Sequence, residues 1–323
     1  MVLIHQNYFQ HNIIEAGAHY ADFPWRPANN INNTGFPEPV PYAGDKRIFM
    51  ADQFYDINHP VRRELHKAYI KKCLDNFAAN NGVIQSVSAE YTGPLHFVQF
   101  WLDTIKEWEK ETGKKALISL STTKDVQDAI LADKDRASVV DIIDIKYWHY
   151  QADGTTYEPK GGQNLAPRQH ARLLKPKASS FQQVYRAVAE YRQKFPEKAV
   201  TYSGDGFDSN GWAILMAGGS LPNITDAPEG LLKDLALMKV LPLAGSPENQ
   251  LMLSNGGQSY VIYNASSNAV QLDLSAAKGT FRVYHINPRN GAQLKAEETV
   301  KGGNSISLKN SSSGPEVLWI KKI

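Results

Sequence analysis

One cysteine, Cys73, is all that the 323 residues contain, which excludes an intrachain disulfide framework and any multi-cysteine zinc site. It shares a helical face with Val61, Leu65, Tyr69 and Phe77, and a buried structural thiol is expected there. No run of about 18 apolar residues occurs, and no charged segment followed by an apolar stretch opens the chain. Neither a membrane span nor an export leader is expected from these residues. Charge of one sign is lacking too: 35 Lys and Arg against 33 Asp and Glu leave a net +2, too little to recruit nucleic acid or an anionic membrane. Gly-rich phosphate loops, Walker motifs and nucleophile elbows are missing. Gly161-Gly162 and Gly302-Gly303 are turns, not strand-to-helix connections, so no nucleotide or other cofactor is expected.

What is present is ordinary globular material, with 42% hydrophobic and 21% charged residues, enough to bury a full core. Up to residue 241 short apolar runs alternate with stretches of helical period, the mark of βα units. Six strands are countable: Val2 to Gln6, Val83 to Ser88, Ala116 to Leu120, Val139 to Ile145, Ala199 to Ser203, and Gly219-Ser220-Leu221. Between them, Asn58-His59-Pro60 opens a helix through an amide cap and a first-turn proline. Leu95 to Thr112 closes at Gly113, and Ser180 to Gln183 reads as a capping box. The expected fold class is α/β, a (β/α)8 barrel lacking its first two βα units, in a chain that begins within a longer protein. The alternative is an open six-stranded sheet whose edges a second copy covers. From 242 to 323 the period becomes alternating, with Asn/Ser/Gly clusters between the runs, and a small antiparallel β-sandwich is expected as a second domain.

Two carboxylates stand just past strand ends, Glu90 after Val83 to Ala89 and Asp205 after Ala199 to Gly204. A parallel barrel carries all its strand ends on one face, which is where a pair of acids can protonate a leaving oxygen and attack a sugar or activate water. Without that chemistry Glu90 is a loop carboxylate paired with a base, and Asp205 caps the helix containing Trp212. Asp208, three residues on, competes for the role of second carboxylate. Five more polar residues, His5, Asn7, His11, His19 and Asp22, cluster around the first strand and suit sugar hydroxyls. No compact ligand motif such as H-E-x-x-H makes them a metal site. Trp25 and Arg26 lie in a proline-stiffened loop: a stacking platform and a carboxylate clamp, or a ring packed under the loop and a helix-capping guanidinium. Tyr91 flanks Glu90, and Lys146, Trp148 and His149 end the fourth strand. Arg168 and His170 lie in a polar loop, residues 151–177, that reads as a binding loop over the site.

The segments Val83 to Pro94, Ala199 to Gly206 and Trp212 to Gly219 resemble the bacterial (β/α)8 glycosidase-like proteins that carry the DUF4038 domain, the apiosidase family among them. Val270 to Gly291, with Asn287-Pro288-Arg289-Asn290-Gly291, is similar to the small β-domain, described as collagen-binding, that follows those barrels. The resemblance implies a glycoside hydrolase acting on plant or host polysaccharide side chains, with a periplasmic or extracellular location. In the related barrel clan the acid/base follows the fourth strand and the nucleophile the seventh. Here Glu90 and Asp205 follow the second and fifth, an offset equal to the two missing strands. Ala89 stands where that clan carries Asn, and Asp205 where many relatives carry Glu; the shorter aspartate leaves inverting chemistry open. The other readings are a non-catalytic carbohydrate-binding protein and an adhesin whose β-sandwich contacts protein.

Overall fold

The computed structural model describes residues 1–5, 23–36, 38, 48–158, 179–224, 226–243 and 249–323, with nothing drawn from the side chains of residues 48–51, 89 and 90. The chain forms two compact units: residues 1–179 with 194–205, and residues 180–193 with 206–323. The expected boundary at 241/242 therefore falls inside the second unit.

The first unit is built on a five-stranded parallel sheet in the order β1 (Val2–Ile4), β2 (Ile84–Tyr91), β3 (Leu117–Thr122), β4 (Ile142–Ile145), β7 (Ala199–Tyr202). Its central strands are largely buried but mix apolar residues such as Val87, Ile118, Leu120 and Ile143 with buried polar ones such as Gln85, Ser86, Ser119 and Ser121. The sixth expected strand, Gly219-Ser220-Leu221, is a turn. Leu221 is exposed with φ +54°, and Gly219 closes so tightly onto Ile214 and Val188 that a Cβ would lie within 3 Å of both. Among the described residues β1 pairs only with β2 and β7 only with β4, so neither edge strand has an outer partner among them.

The described α-helices of this unit are α1 (Ile48–Tyr55), α2 (Pro60–Phe77), α3 (Leu95–Thr112), α4 (Lys124–Ala132) and the single turn α5 (Lys134–Ala137). α3 ends at Gly113 with φ +70°, the left-handed cap its sequence announces. α2 departs from expectation twice. Its N-cap is the His59 imidazole, which accepts from the Arg62 amide, rather than Asn58. Its buried face is Arg62, His66, Ile70 and Leu74, one position away from the face of Cys73, which is half-buried. The cause is an aromatic cluster of Trp25, Phe36, Phe54 and Phe97 that accepts His66 edge-on to Phe54 and places the Arg62 guanidinium 5.3 Å from the Phe36 ring centre.

In the second unit a six-stranded antiparallel sheet runs in the order β13 (Glu298–Lys301), β12 (Thr280–Ile286), β15 (Glu316–Lys322), β10 (Ser259–Asn264), β9 (Gln250–Ser254), β8 (Lys239–Val240). The pair β11 (Val270–Asp273) and β14 (Ser305–Leu308) forms a second sheet, and Ile262, Val270, Leu272, Phe281, Leu308 and Ile320 pack in one core with it. This is the expected sandwich, with β8, β9 and β13 added. The other face of the large sheet is covered as well. Leu253, Val261, Tyr263, Val317 and Trp319 share a core with Trp212, Met216, Leu231 and Leu235, which come from α7 (Gly211–Met216) and α8 (Glu229–Leu235). Phe181 of α6 (Phe181–Lys194) packs against the same core. The capping box of α6 is realised: Ser180 N donates to Gln183 Oε1 at 2.6 Å and Gln183 N to Ser180 Oγ at 3.4 Å.

Candidate active site

All five parallel strands of the first unit end on one edge, so their carboxyl ends bring together the residues after β2, β3, β4 and β7. Glu90 lies in the last turn of β2's pleat. The β2–β3 register shifts between Val87 and Tyr91, and the buried Ser88 takes φ +65°. A bulge of this kind re-aims the residues that follow it. In strand order, β3 and β4 stand between Glu90's strand and Asp205's.

Asp205 is positioned by its glycines. A Cβ at Gly204 would sit 3.0 Å from the Lys146 carbonyl, so glycine lets the exit of β7 run this close to the end of β4 without displacing that backbone. Gly206 follows with φ +80°. The Asp205 side chain is exposed, its Oδ2 accepts the Ser179 amide at 2.7 Å, and its carbonyl accepts the Tyr202 hydroxyl at 2.7 Å. Beside it stands a hairpin of β5 (His149–Tyr150) and β6 (Thr156–Tyr157), in which the rings of His149 and Tyr157 stack at 4.7 Å. Burial lowers the pKa of His149 and the negative charge of Asp205 opposes that shift. Burial, then the same charge, raises Tyr157; in Tyr202 burial is again the main cause of an upward shift. His149 Nε2 is buried and has no hydrogen-bond partner among the described residues.

Two acidic residues at this edge escape the motif reading. Glu158, directly after β6, accepts the backbone amide of Lys124, the first residue of α4, with Oε2 and the Thr156 hydroxyl with Oε1. Burial, reinforced by the nearby Asp125 charge, pushes its pKa up to about 7. Its signal was its place in the loop already marked as site-covering. Asp144, inside β4, accepts the hydroxyls of Ser121 (2.7 Å), Thr201 (2.7 Å) and Ser203 (3.0 Å), tying β3, β4 and β7 together. A charged residue within Ile142-Ile143-Asp144-Ile145 was the signal there.

The remaining candidates separate. His5 is buried, within 3.3 Å of both Tyr69 Oη and Gln85 Oε1 and against the Trp101 ring, and burial lowers its pKa. Trp25, expected as a platform or as packing, is packing, buried against Phe54 and His66. Arg26 is committed to Glu38, with Nε and Nη2 donating at 2.8 and 2.7 Å. Tyr91 is buried with its hydroxyl on the Pro94 carbonyl, and Gly93 makes room for its ring. Trp148 is a core side chain rather than a stacking surface, with Nε1 on Gln127 Oε1 and the Lys124 ammonium 4.9 Å from its ring centre. Lys146 is half-exposed at the end of β4. Asp208 belongs to the second unit, is exposed, and accepts from Asn223 Nδ2 at 3.2 Å. Asn7, His11, His19, Asp22, Arg168 and His170 lie outside the described residues. Among the described residues no three His, Cys, Asp or Glu converge on a metal position. The cleft of about 450 Å³ lined by Leu74, Val83, Lys115 and Asp141 opens at the opposite, amino end of the strands.

A glycoside hydrolase of family 5 from Bacteroides vulgatus is similar in fold, with a TM-score of 0.50 at 12% identity over 80% of this chain. The chain spans 66% of that structure's length, just under two thirds. A second structure described as a glycoside hydrolase scores 0.43 at 11% identity over 90% of this chain and 81% of its own. A Paenibacillus polymyxa xyloglucanase of family 44 scores 0.37 at 14% identity, over 81% and 61%. The similarity to the first of these shows a glycoside-hydrolase-like fold. No curated protein matches the chain. The family model described as a domain of unknown function (DUF6298) matches residues 1–238, nearly three quarters of the sequence, and to that family the chain belongs.

Proposed function

We propose that the protein cleaves glycosidic bonds in plant or host polysaccharide side chains by a two-carboxylate mechanism, with Glu90 as acid/base and Asp205 as nucleophile or base. The carrying observation is that both residues issue from the carboxyl edge of one parallel sheet. The resemblance of their motifs to the apiosidase-related proteins supports the substrate class, and an extracytoplasmic location belongs to the same reading. Asp205 is suited to the ionised role: it is exposed, it accepts a backbone amide, and its negative charge is felt by His149 and Tyr157. A general acid needs a pKa near the working pH, and Glu158, pushed up to about 7 at the same edge, is the second candidate for that proton.

Hydrolysis of a panel of aryl glycosides and plant oligosaccharides by wild type, Glu90→Gln, Asp205→Asn and Glu158→Gln separates these roles. Expected is a roughly 10²–10⁴-fold loss for Glu90→Gln, the usual size of a general acid–base contribution, and a loss at least as large for Asp205→Asn. Loss in Glu158→Gln with a wild-type rate in Glu90→Gln would move the proton donor to Glu158. Wild-type rates in all three variants, or sugar binding without cleavage of any substrate, would refute the assignment; the latter outcome fits a non-catalytic carbohydrate-binding protein.

A further inference from the structure

The second unit contains a cleft of about 640 Å³, within the roughly 300–1,000 Å³ typical of small-molecule sites. Its wall is the segment Asp208–Trp212, its floor includes Tyr263 of β10, and its far side is the turn Asn287–Arg289 that follows β12. The walls are locked in place. Trp212 Nε1 donates to the Pro288 carbonyl at 3.0 Å. A Cβ at Gly211 would lie 1.8 Å from the Asn223 carbonyl, and one at Gly291, whose φ is +68°, 1.9 Å from the Asp226 carbonyl. Only glycines permit these approaches, so the cleft exists before any ligand arrives, and little ordering is required on binding.

The polar groups inside are not used up by the fold. Asn223 takes one oxygen of Asp208 and the Arg289 amide takes Asn287 Oδ1. Among the described residues the Arg289 guanidinium, Asn287 Nδ2 and Asp208 Oδ2 make no hydrogen bond, and Arg289 and Asp208 are exposed. Phe181, half-buried, stacks on Tyr263 at 4.3 Å with 14° between the rings and also lines the cleft. The lining therefore offers a free acceptor, several free donors and an aromatic surface, and its one carboxylate balances its one guanidinium.

We propose that this cleft is a binding site for a neutral glycosyl residue, separate from the carboxylate pair of the first unit. A sugar hydroxyl both donates and accepts, so vicinal hydroxyls satisfy a carboxylate and a guanidinium together, while the apolar face of the ring lies on Phe181. An anionic sugar or a phosphate would gain Arg289 but be repelled by Asp208, and the balanced charge decides for the neutral ligand. Asn287-Pro288-Arg289-Asn290-Gly291, conspicuous in sequence, is on this reading a sugar-recognition turn.

The test is calorimetric titration of the full chain with cello-, xylo-, manno-, galacto- and arabino-oligosaccharides and with oligogalacturonate. At least one neutral oligosaccharide should bind, at least tenfold more weakly to Arg289→Ala and to Asp208→Ala, and as tightly to the Glu90→Gln/Asp205→Asn chain as to wild type. Circular dichroism establishes that the variants are folded, and Arg289→Gln repeats the test with the side chain's bulk retained. Failure of every neutral oligosaccharide to bind at millimolar concentration, preference for oligogalacturonate, or wild-type affinity in the Arg289 and Asp208 variants overturns the proposal. Loss of binding in the Glu90→Gln/Asp205→Asn chain would place the sugar at the first unit and overturn it too. Absence of hydrolysis in wild type leaves it standing.

Discussion

Lys198 is buried at the entry to β7, and its ammonium donates to the carbonyls of Ala137 at 2.8 Å and Val140 at 2.7 Å. Those carbonyls close α5 and the turn into β4, so one cation joins the starts of two neighbouring strands. Lys198→Met keeps the stem and removes the donors; the Ala137 carbonyl still accepts the Val140 amide at 3.1 Å, so the Val140 carbonyl is the acceptor left buried, at a cost of roughly 1–3 kcal/mol. Urea denaturation should show a loss of about 1–3 kcal/mol; a change below about 0.5 kcal/mol would mean that water replaces the ammonium. Nothing in the local pattern sets this lysine apart from its surface neighbours, because its partners are far away in sequence. Gly204 and Gly206 are the opposite case. Their spacing around Asp205 announced a special backbone, and the structure supplies the reason in the Lys146 carbonyl. Trp25 shows a third situation: a tryptophan in a proline-stiffened loop reads nearly as well as packing as it does as a platform, and only the fold decides; Trp148, expected as a site aromatic at a strand end, is buried too.

At the scale of elements, the large sheet of the second unit hides a hydrogen-bonded line of polar side chains across three strands. His285 of β12 bonds through Nδ1 to Glu316 of β15 and lies 3.1 Å through Nε2 from Glu298 of β13. His285 and Glu316 are fully buried, and Glu316 also accepts the Ser311 amide and hydroxyl at 2.8 and 2.9 Å. Removing one member of a buried hydrogen-bonded pair strands the other, at a cost of roughly 1–3 kcal/mol. Glu316→Ala should lower the stability of this unit by about that amount in chemical denaturation, and an unchanged midpoint would show that the line carries no net interaction. Alternation made strands of the sandwich such as Val270 to Asp273 legible. β9 was not expected: its Met252 and Leu253 pack into the cores on opposite faces of the sheet, and it loses the alternation that identifies a half-buried strand. The face of α2 was misjudged by one position because Arg62 and His66, polar by type, are the residues the aromatic cluster encloses.

For the molecule as a whole, two titrating groups of the first unit, the buried His66 and the half-buried Glu158, pull stability in opposite directions with pH. His66 is held neutral by burial, its pKa lowered from 6.5 to about 4. The unfolded chain binds that proton first, so stability falls as pH drops from about 6.5 towards 4. Glu158 is raised from 4.5 to about 7; here the folded chain holds the proton longer, and stability falls as pH rises from about 4.5 through 7. Urea midpoints across this range should be flatter in wild type than in either variant. His66→Gln should remove a loss of about 2 kcal/mol between pH 7 and pH 5, exposing the Glu158 slope, and Glu158→Gln should expose the His66 slope. Equal slopes in all three proteins would refute the pairing. The parallel sheet behind both groups was readable in five of its six expected strands. The sixth failed because Gly219-Ser220-Leu221 resembles a strand in composition while its glycine is spent on close packing. Residues Ser180–Gln193 belong to the second unit, whereas Lys194–Asp205 return to the first, so no single cut in the gene separates the two. A recombination junction near residue 242 would strip the helical cover from Leu253, Val261, Val317 and Trp319; cut there, the sandwich is not a portable cassette.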